Sequence, residues 1–343
     1  MQRMSGIEEK ARKARGKKAA YGTDVDLESF KSESREYEAL QSAEDLPSEV
    51  KKAALDVGVK LDDETAGAYV QMDQTAVVAS SMYEGVEMMD IASALKKYEF
   101  LQDYYWKLVA PDADKYTAEV AEAEPSGFFV RAKKGSKTVF PIKSCLYLGS
   151  SDFNQRVHNI VIAEEGSELH MITGCTTPTH VQRGLHLGIS EYYVQKDAKV
   201  SFTMIHSWGK EVEVRPRTGI VLGEGASMSN NYIMLRPVKT LQTFPTHPSR
   251  KGCRGQLQLR DLFHYGRHRY RQQCLFRCSR DQRRVHIPGG LRGWRCYCPG
   301  AHDRQGARCP GPSGVRGAAS GGEGQDLLHT GAGRPEPGPG YVP

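Results

Sequence analysis

The sequence predicts a mainly β protein in which an N-terminal helical region precedes a stack of short strands. Three observations carry this. From Gly127 onward, helical spacing gives way to short apolar runs separated by Gly, Lys and Ser turns. Within them a loose repeat recurs: Glu165-Gly166-Ser167-Glu168-Leu169, Lys196-Asp197-Ala198-Lys199-Val200 and Glu224-Gly225-Ala226-Ser227-Met228. Aligning Ser167, Ala198 and Ala226 gives spacings of 31 and 28 residues, with no helical stretch between copies. Self-similarity near this length with strands alone points to a β-solenoid or β-helix, in which each rung buries one side and a small turn residue lets rungs approach. A β-sandwich, whose strands are also evenly spaced, stays open as the alternative.

The elements follow in order. Ile7 to Ala20 is rich in Glu, Lys, Arg and Ala with almost no apolar stripe, so residues 1–45 read as a charged helical or flexible arm. Residues 46–125 read as an α+β region. A helix starts at Leu46-Pro47-Ser48-Glu49, shows Val50, Ala53, Ala54 and Val57 on one face, and ends at Gly58. Residues 68–72 and 75–79 read as short strands. Ile91, Leu95, Tyr98, Leu101, Tyr105 and Leu108 fall at helical spacing, so one helix is expected from Asp90 to Lys107, with Pro111 beyond it. The aromatic cluster of Phe100, Tyr104, Tyr105 and Trp106 reads as core. Residues 126–246 are the strand stack, opening with runs at 128–131, 138–142 and 144–148.

Composition separates the chain into two parts. The 343 residues carry a net charge of +6, but residues 1–246 hold 20 Lys and 10 Arg against 35 acids, a net −5. Residues 247–343 hold 17 basic residues against 6 acids, a net +11, with 6 of the 8 Cys, 18 of the 35 Gly and one Lys to 16 Arg. No apolar run reaches the roughly 20 residues that span a bilayer, and the basic N-terminus lacks the apolar segment of a secretory signal. Two Cys in the body make no disulfide framework, so a cytoplasmic location is the default.

The stretch from His158 to His170, running on into Ile172-Thr173-Gly174-Cys175-Thr176-Thr177-Pro178, closely resembles the SufB/SufD family, scaffold proteins of the SUF iron–sulfur cluster assembly system. Two other segments look similar: Glu84-Gly85-Val86-Glu87 with the run through Trp106-Lys107-Leu108-Val109, and Leu235-Arg236-Pro237-Val238-Lys239-Thr240-Leu241-Gln242-Thr243. The resemblance covers roughly Val50 to Thr246. It implies a right-handed parallel β-helix core behind the helical region. It further implies a scaffold subunit that is not itself an enzyme. Such a subunit pairs with a second SufB/SufD-type subunit in a homo- or heterodimer, is docked by a SufC-type ATPase, takes sulfur from a sulfur donor protein, and carries a transient iron–sulfur cluster. Whether a flavin takes part, which cluster type is built, and whether the role is SufB-like or SufD-like stay open, although Cys175 favours SufB.

Cys175 matches the Gly-Cys-Thr-x-Pro motif of the SufB branch, and by that resemblance it is the expected sulfur acceptor or relay. Sulfur transfer needs a thiolate, which attacks and then carries the persulfide, and a soft thiolate also suits iron. The competing reading is a small buried Cys filling a rung. His170, His180 and His186 lie within eleven residues of Cys175. A stack could bring them near it, so Cys175, His170 and His180 form the candidate metal set. Cys145, His206 and Trp208 read as structural.

Beyond Thr246 the resemblance stops, and neither strand nor helix spacing persists. The Arg-rich, Lys-poor, Gly/Pro/Cys-rich composition is what GC-rich coding DNA gives when read out of frame, so residues 247–343 read as an out-of-frame tail without regular structure. On that reading the chain is a shortened scaffold with exposed strand edges and no docking for a SufC-type ATPase. Two other readings take the tail as functional. One is zinc binding through Cys274, Cys278, Cys296 and Cys298 with Cys253 and Cys309, at spacings unlike standard zinc motifs. The other is a nucleic-acid arm around His264 to Arg271, although a frameshifted tail would bind nucleic acid without specificity.

Overall fold

In the second half of the chain, strand after strand returns beside an earlier one a rung away, so two parallel sheets grow together from one winding chain. The computed structural model describes residues 2–19, 22–33, 35–61, 64–246 and 256–263. The first elements are α1 (Gln2–Ala14), α2 (Ser48–Asp56), and the antiparallel hairpin of β1 (Gly67–Met72) and β2 (Thr75–Ser81). After β3 (Val86–Asp90) come α3 (Ile91–Lys97), a short 3-10 turn at Glu99–Asp103, and α4 (Lys115–Glu122). Strands then follow without interruption: β4 (Phe128–Ala132), β5 (Ile142–Tyr147), β6 (Asn154–Ala163), β7 (Glu168–Thr176), β8 (Arg183–Val194), β9 (Lys199–Ser207), β10 (Glu211–Val214), β11 (Arg217–Leu222), β12 (Ser227–Met234), β13 (Thr240–Leu241), β14 (Phe244–Thr246) and β15 (Gln256–Phe263).

One sheet runs β15-β12-β9-β7-β5-β1-β2 and the other β13-β10-β8-β6-β4-β3. All pairs within the stack are parallel, and the antiparallel pairs β1–β2 and β3–β4 close it at one end. β8 is long enough to pair with β10 through its first residues and with β11 through its last. The expected solenoid is therefore present, and the sandwich alternative is excluded. The repeat read from the sequence is the register itself: Glu168 stands beside Lys199 and Lys199 beside Ser227, steps of 31 and 28 residues.

Each rung turns at a residue with left-handed backbone: Gly135, Gly166, Asp197 and Gly225, at φ of 70°, 68°, 56° and 68°. Glycine adopts this conformation freely and Asp tolerates it. The next residues in three of these rungs, Ser167, Ala198 and Ala226, are almost fully buried. These are the small residues on which the repeat was aligned. Inside, the two sheets enclose an apolar core that includes Ile142, Leu169, Met171, Val200, Phe202, Val212, Ile220 and Met228.

The helical elements dress the outside of the stack. α2 buries Val50, Ala53 and Ala54, and Gly58 ends the segment at φ of 73°. α1 is less solvated than its composition suggests: Ala11 and Ala14 pack on Ala118 of α4, and Arg15 Nε donates to Glu122 Oε2 at 2.6 Å. A seam of alanines leaves no apolar stripe in the sequence. α4 was not read from the sequence. It carries a capping box, with Asp114 Oδ1 accepting from Tyr116 and Thr117. α4 is held to the stack by Arg217, which pairs with Asp114, while the guanidiniums of Arg215 and Arg217 flank the Tyr116 ring at 5.5 and 5.4 Å.

Two expected elements differ. The helix foreseen from Asp90 to Lys107 ends at Lys97, and Trp106 has φ of 57°. Beyond a 3-10 turn at Glu99–Asp103, the segment is held by Glu191 on β8. Its buried carboxylate accepts the backbone N–H groups of Trp106 (2.8 Å), Leu108 and Val109 (3.0 Å), along with His158 Nε2 (2.9 Å). A continuing helix would have used those N–H groups internally. The aromatic cluster still enters the core, with Tyr105 and Trp106 buried around His158. The strand foreseen at 138–142 starts only at Ile142, with Val139 82% exposed, because Pro141 offers no N–H to a ladder.

Strand pairing continues beyond the boundary placed at Thr246, since β15 pairs with β12 along its length. The rest of the 247–343 tail, including Cys253, Cys274, Cys278, Cys296, Cys298 and Cys309, lies outside the described residues.

Candidate functional site

Cys175 lies near the end of β7, where side chains alternate between the interior and the outer surface. Leu169, Met171 and Cys175 belong to the interior cluster, and Cys175 is fully buried there. Gly174 faces the other way, under the segment that follows α2. A Cβ at Gly174 would lie 2.3 Å from Val57 Cγ2 and 2.9 Å from Val59 Cγ2, so the motif's glycine is where an outer element presses on the strand. Thr176 is tied to the next rung by its Oγ1, which donates to the Ser207 carbonyl at 3.3 Å.

In the parallel register Leu146, Cys175, His206 and Met234 stand side by side on β5, β7, β9 and β12. His206 belongs to a row of buried polar side chains. Its Nδ1 receives Trp208 Nε1 at 2.7 Å and lies 3.2 Å from Tyr232 Oη. The Trp208 ring packs on His186 at 5.0 Å. His186 Nδ1 donates to Gln155 Oε1 at 2.9 Å, because the Gln155 amide nitrogen is itself committed to the carbonyls of Asp73 and Tyr147.

Burial governs the charge of these groups. It pushes His186 down to about 3. It pushes His206 well below the imidazole range, with His186 a further cause. The Cys175 thiol is raised well above its ordinary value, by burial first and then by Cys145. Cys145, which points out under α2 among Val57, Val59 and Val70, is pushed up to about 12 by burial. Both thiols are thus protonated and both interior imidazoles neutral near neutrality.

The structure does not bring the candidate metal set together. His170 is exposed on the outer face of β7, opposite in alternation to Cys175. His180 is exposed in the turn between β7 and β8, its Nδ1 3.6 Å from Glu49 Oε1 of α2. Among the described residues no group of three or more His, Cys, Asp or Glu side chains is arranged to hold a metal. The imidazole beside Cys175 is instead His206, which had read as structural. The signal for it is in the repeat: the 31-residue step that aligns Ser167 with Ala198 also carries Cys175 onto His206.

Comparison with known proteins agrees with this architecture. The SufBD core domain family of SUF-system FeS cluster assembly matches residues 147–270, the stretch that holds Cys175, His186 and His206. An iron–sulfur cluster assembly SufBD family protein of Methanothermobacter thermautotrophicus is 49% identical over 243 residues, covering 69% of this chain and 59% of that protein. One from Archaeoglobus fulgidus is 49% identical over 197 residues, covering 57% and 53%. One from Pyrococcus horikoshii is 30% identical over 205 residues, covering 58% and 46%. The chain thus spans about half to three fifths of the length of these relatives. With a parallel strand stack, a matching core domain and a relative 49% identical over 243 residues, the chain belongs to the SufB/SufD family.

Proposed function

We propose that this chain is a scaffold subunit for iron–sulfur cluster assembly, with Cys175 as the residue that accepts or relays sulfur. The cluster under construction is its cargo, and energy comes from a SufC-type ATPase partner. A second SufB/SufD-type subunit and a sulfur donor protein complete the assembly in the cytoplasm. The observation that supports this most is the contrast between the chain's two body cysteines. Cys145 is packed among aliphatic side chains, whereas Cys175 stands beside the polar row of His206, Trp208 and His186. A cysteine that serves packing alone has no use for such a row, which burial makes costly.

The chemistry fits a protected carrier. A sulfane sulfur on an exposed thiol is open to reductants and to other thiols, and burial of Cys175 in the stack shields it from bulk solvent. Burial holds the resting thiol protonated, so sulfur is accepted only as the thiol proton passes to the donor. Anaerobic reconstitution with ferrous iron and sulfide tests the reading. Bound iron and acid-labile sulfide fall by at least about half in Cys175→Ala and are unchanged in Cys145→Ala. Equal loading of wild type and Cys175→Ala removes Cys175 from the mechanism.

A further inference from the structure

One buried donor inside the stack has no acceptor among the described residues. His206 is 1% exposed, and its Nε2 meets no hydrogen-bond partner among the described residues. Its Nδ1 is fixed as an acceptor, because the Trp208 indole nitrogen that approaches at 2.7 Å can only donate. Neutral imidazole then carries its one proton on Nε2. The protein therefore keeps a buried N–H that nothing among the described residues receives, an arrangement that calls for an explanation.

The neighbours of His206 in the register decide what that explanation is. On one side stands Met234, which offers only a weak acceptor. On the other stands Cys175, one strand away, about 4.8 Å in the hydrogen-bonding direction. The resting Cys175 thiol makes no hydrogen bond to Nε2. A persulfide lengthens the side chain by one S–S bond, about 2.05 Å, and ends in an anionic sulfur. An anion in an apolar interior requires a donor, and a charge-assisted bond is the strongest kind available.

We propose that His206 Nε2–H is the hydrogen-bond donor for the terminal sulfur of a persulfide on Cys175, with Trp208 holding the imidazole in the tautomer that donates. The proposal rests on the reading of Cys175 as the sulfur acceptor. The loading step balances: the Cys175 thiol gives its proton to a donor persulfide, R–S–S⁻, and the resulting Cys175 thiolate attacks the outer sulfur of R–S–SH. A bond forms between Cys175 Sγ and that sulfur, the donor S–S bond breaks, and the departing thiolate takes the proton from the transferred sulfur. Cys175–S–S⁻ and R–SH result, with no net oxidation. His206 neither gains nor loses a proton.

The test uses the full chain, loaded anaerobically with inorganic polysulfide as the persulfide source. The persulfide on Cys175 is followed by trapping under denaturing conditions and peptide mass spectrometry, and the His206 ring is followed by nitrogen-15 NMR. The expected results are an Nε2-protonated tautomer at rest and a downfield shift of that proton on loading, absent in Cys175→Ala. His206→Phe is expected to shorten the persulfide half-life by on the order of tenfold, the loss of one hydrogen bond to a charged group. His206→Gln, which keeps an N–H donor and an acceptor for Trp208, stays near wild type. An unmoved resonance, an Nδ1-protonated ring, or equal half-lives in wild type and His206→Phe overturns the proposal while leaving Cys175 as acceptor. If wild type takes no sulfur on Cys175, the reading of Cys175 and the proposal fall together. Should His206→Phe not fold, the wild-type NMR result decides alone.

Discussion

Cys175 and His206 stand opposite one another on adjacent parallel strands, separated by one turn of the stack. The pair joins Cys175, which belongs to the interior cluster, to the end of a hydrogen-bonded and stacked row that runs through Trp208 and His186 to Gln155. Polar groups so placed cost stability and make the interior sensitive to pH and packing. The consequences are measurable.

The first concerns acid. His186 is held down to about 3 by burial and His206 well below its usual range. In the unfolded chain both imidazoles take protons as pH falls through about 6.5, whereas the folded chain does not until far lower. The unfolded state therefore binds more protons across this window, and stability is present above about pH 6.5 and lost progressively below it. Each imidazole contributes a slope of about 1.4 kcal/mol per pH unit. Denaturant unfolding at a series of pH values is expected to show a shallower slope in His206→Gln than in wild type.

The second concerns Gly174. A methyl group there meets Val57 and Val59 at distances no side chain tolerates. Gly174→Ala is expected to lower unfolding stability by about 1–3 kcal/mol. The double variant with Val57→Ala recovers part of that loss in the same measurement, because it empties the space the new methyl needs. Recovery would establish that this glycine serves packing of the segment after α2 rather than sulfur chemistry.

The third concerns the attachment of the N-terminal region. Glu191 is fully buried and receives three backbone N–H groups and His158. Glu191→Ala leaves all four without an acceptor, and the expected loss is about 3–5 kcal/mol. Lys13→Ala, which removes only an exposed pair with Glu9, is expected to cost less than about 0.5 kcal/mol. Chemical unfolding compares the two, and limited proteolysis is expected to cut residues 98–110 of Glu191→Ala first.

The stack was legible in the sequence because a solenoid writes its register into the chain: Ser167, Ala198 and Ala226 recur at the spacing at which their strands pair. What local pattern could not show is what distant residues impose. The periodicity from Ile91 to Leu108 reads as one helix, yet the helix stops at Lys97, and Glu191, more than eighty residues from Trp106, takes the N–H groups of Trp106 and Val109. The site was half legible. The motif around Cys175 marked the cysteine, but proximity in sequence pointed to His170 and His180, which alternation and a turn send outward. In a solenoid the relevant neighbour lies one rung away, and the same repeat that revealed the fold names it as His206.

The most direct measurement of the central claim is the location of sulfur after anaerobic exposure of the full chain to inorganic polysulfide, read by peptide mass spectrometry. The two body cysteines are both fully buried and serve as each other's control. One additional sulfur on the Cys175 peptide and none on the Cys145 peptide is the predicted result. No added sulfur on Cys175, or equal amounts on both, contradicts it.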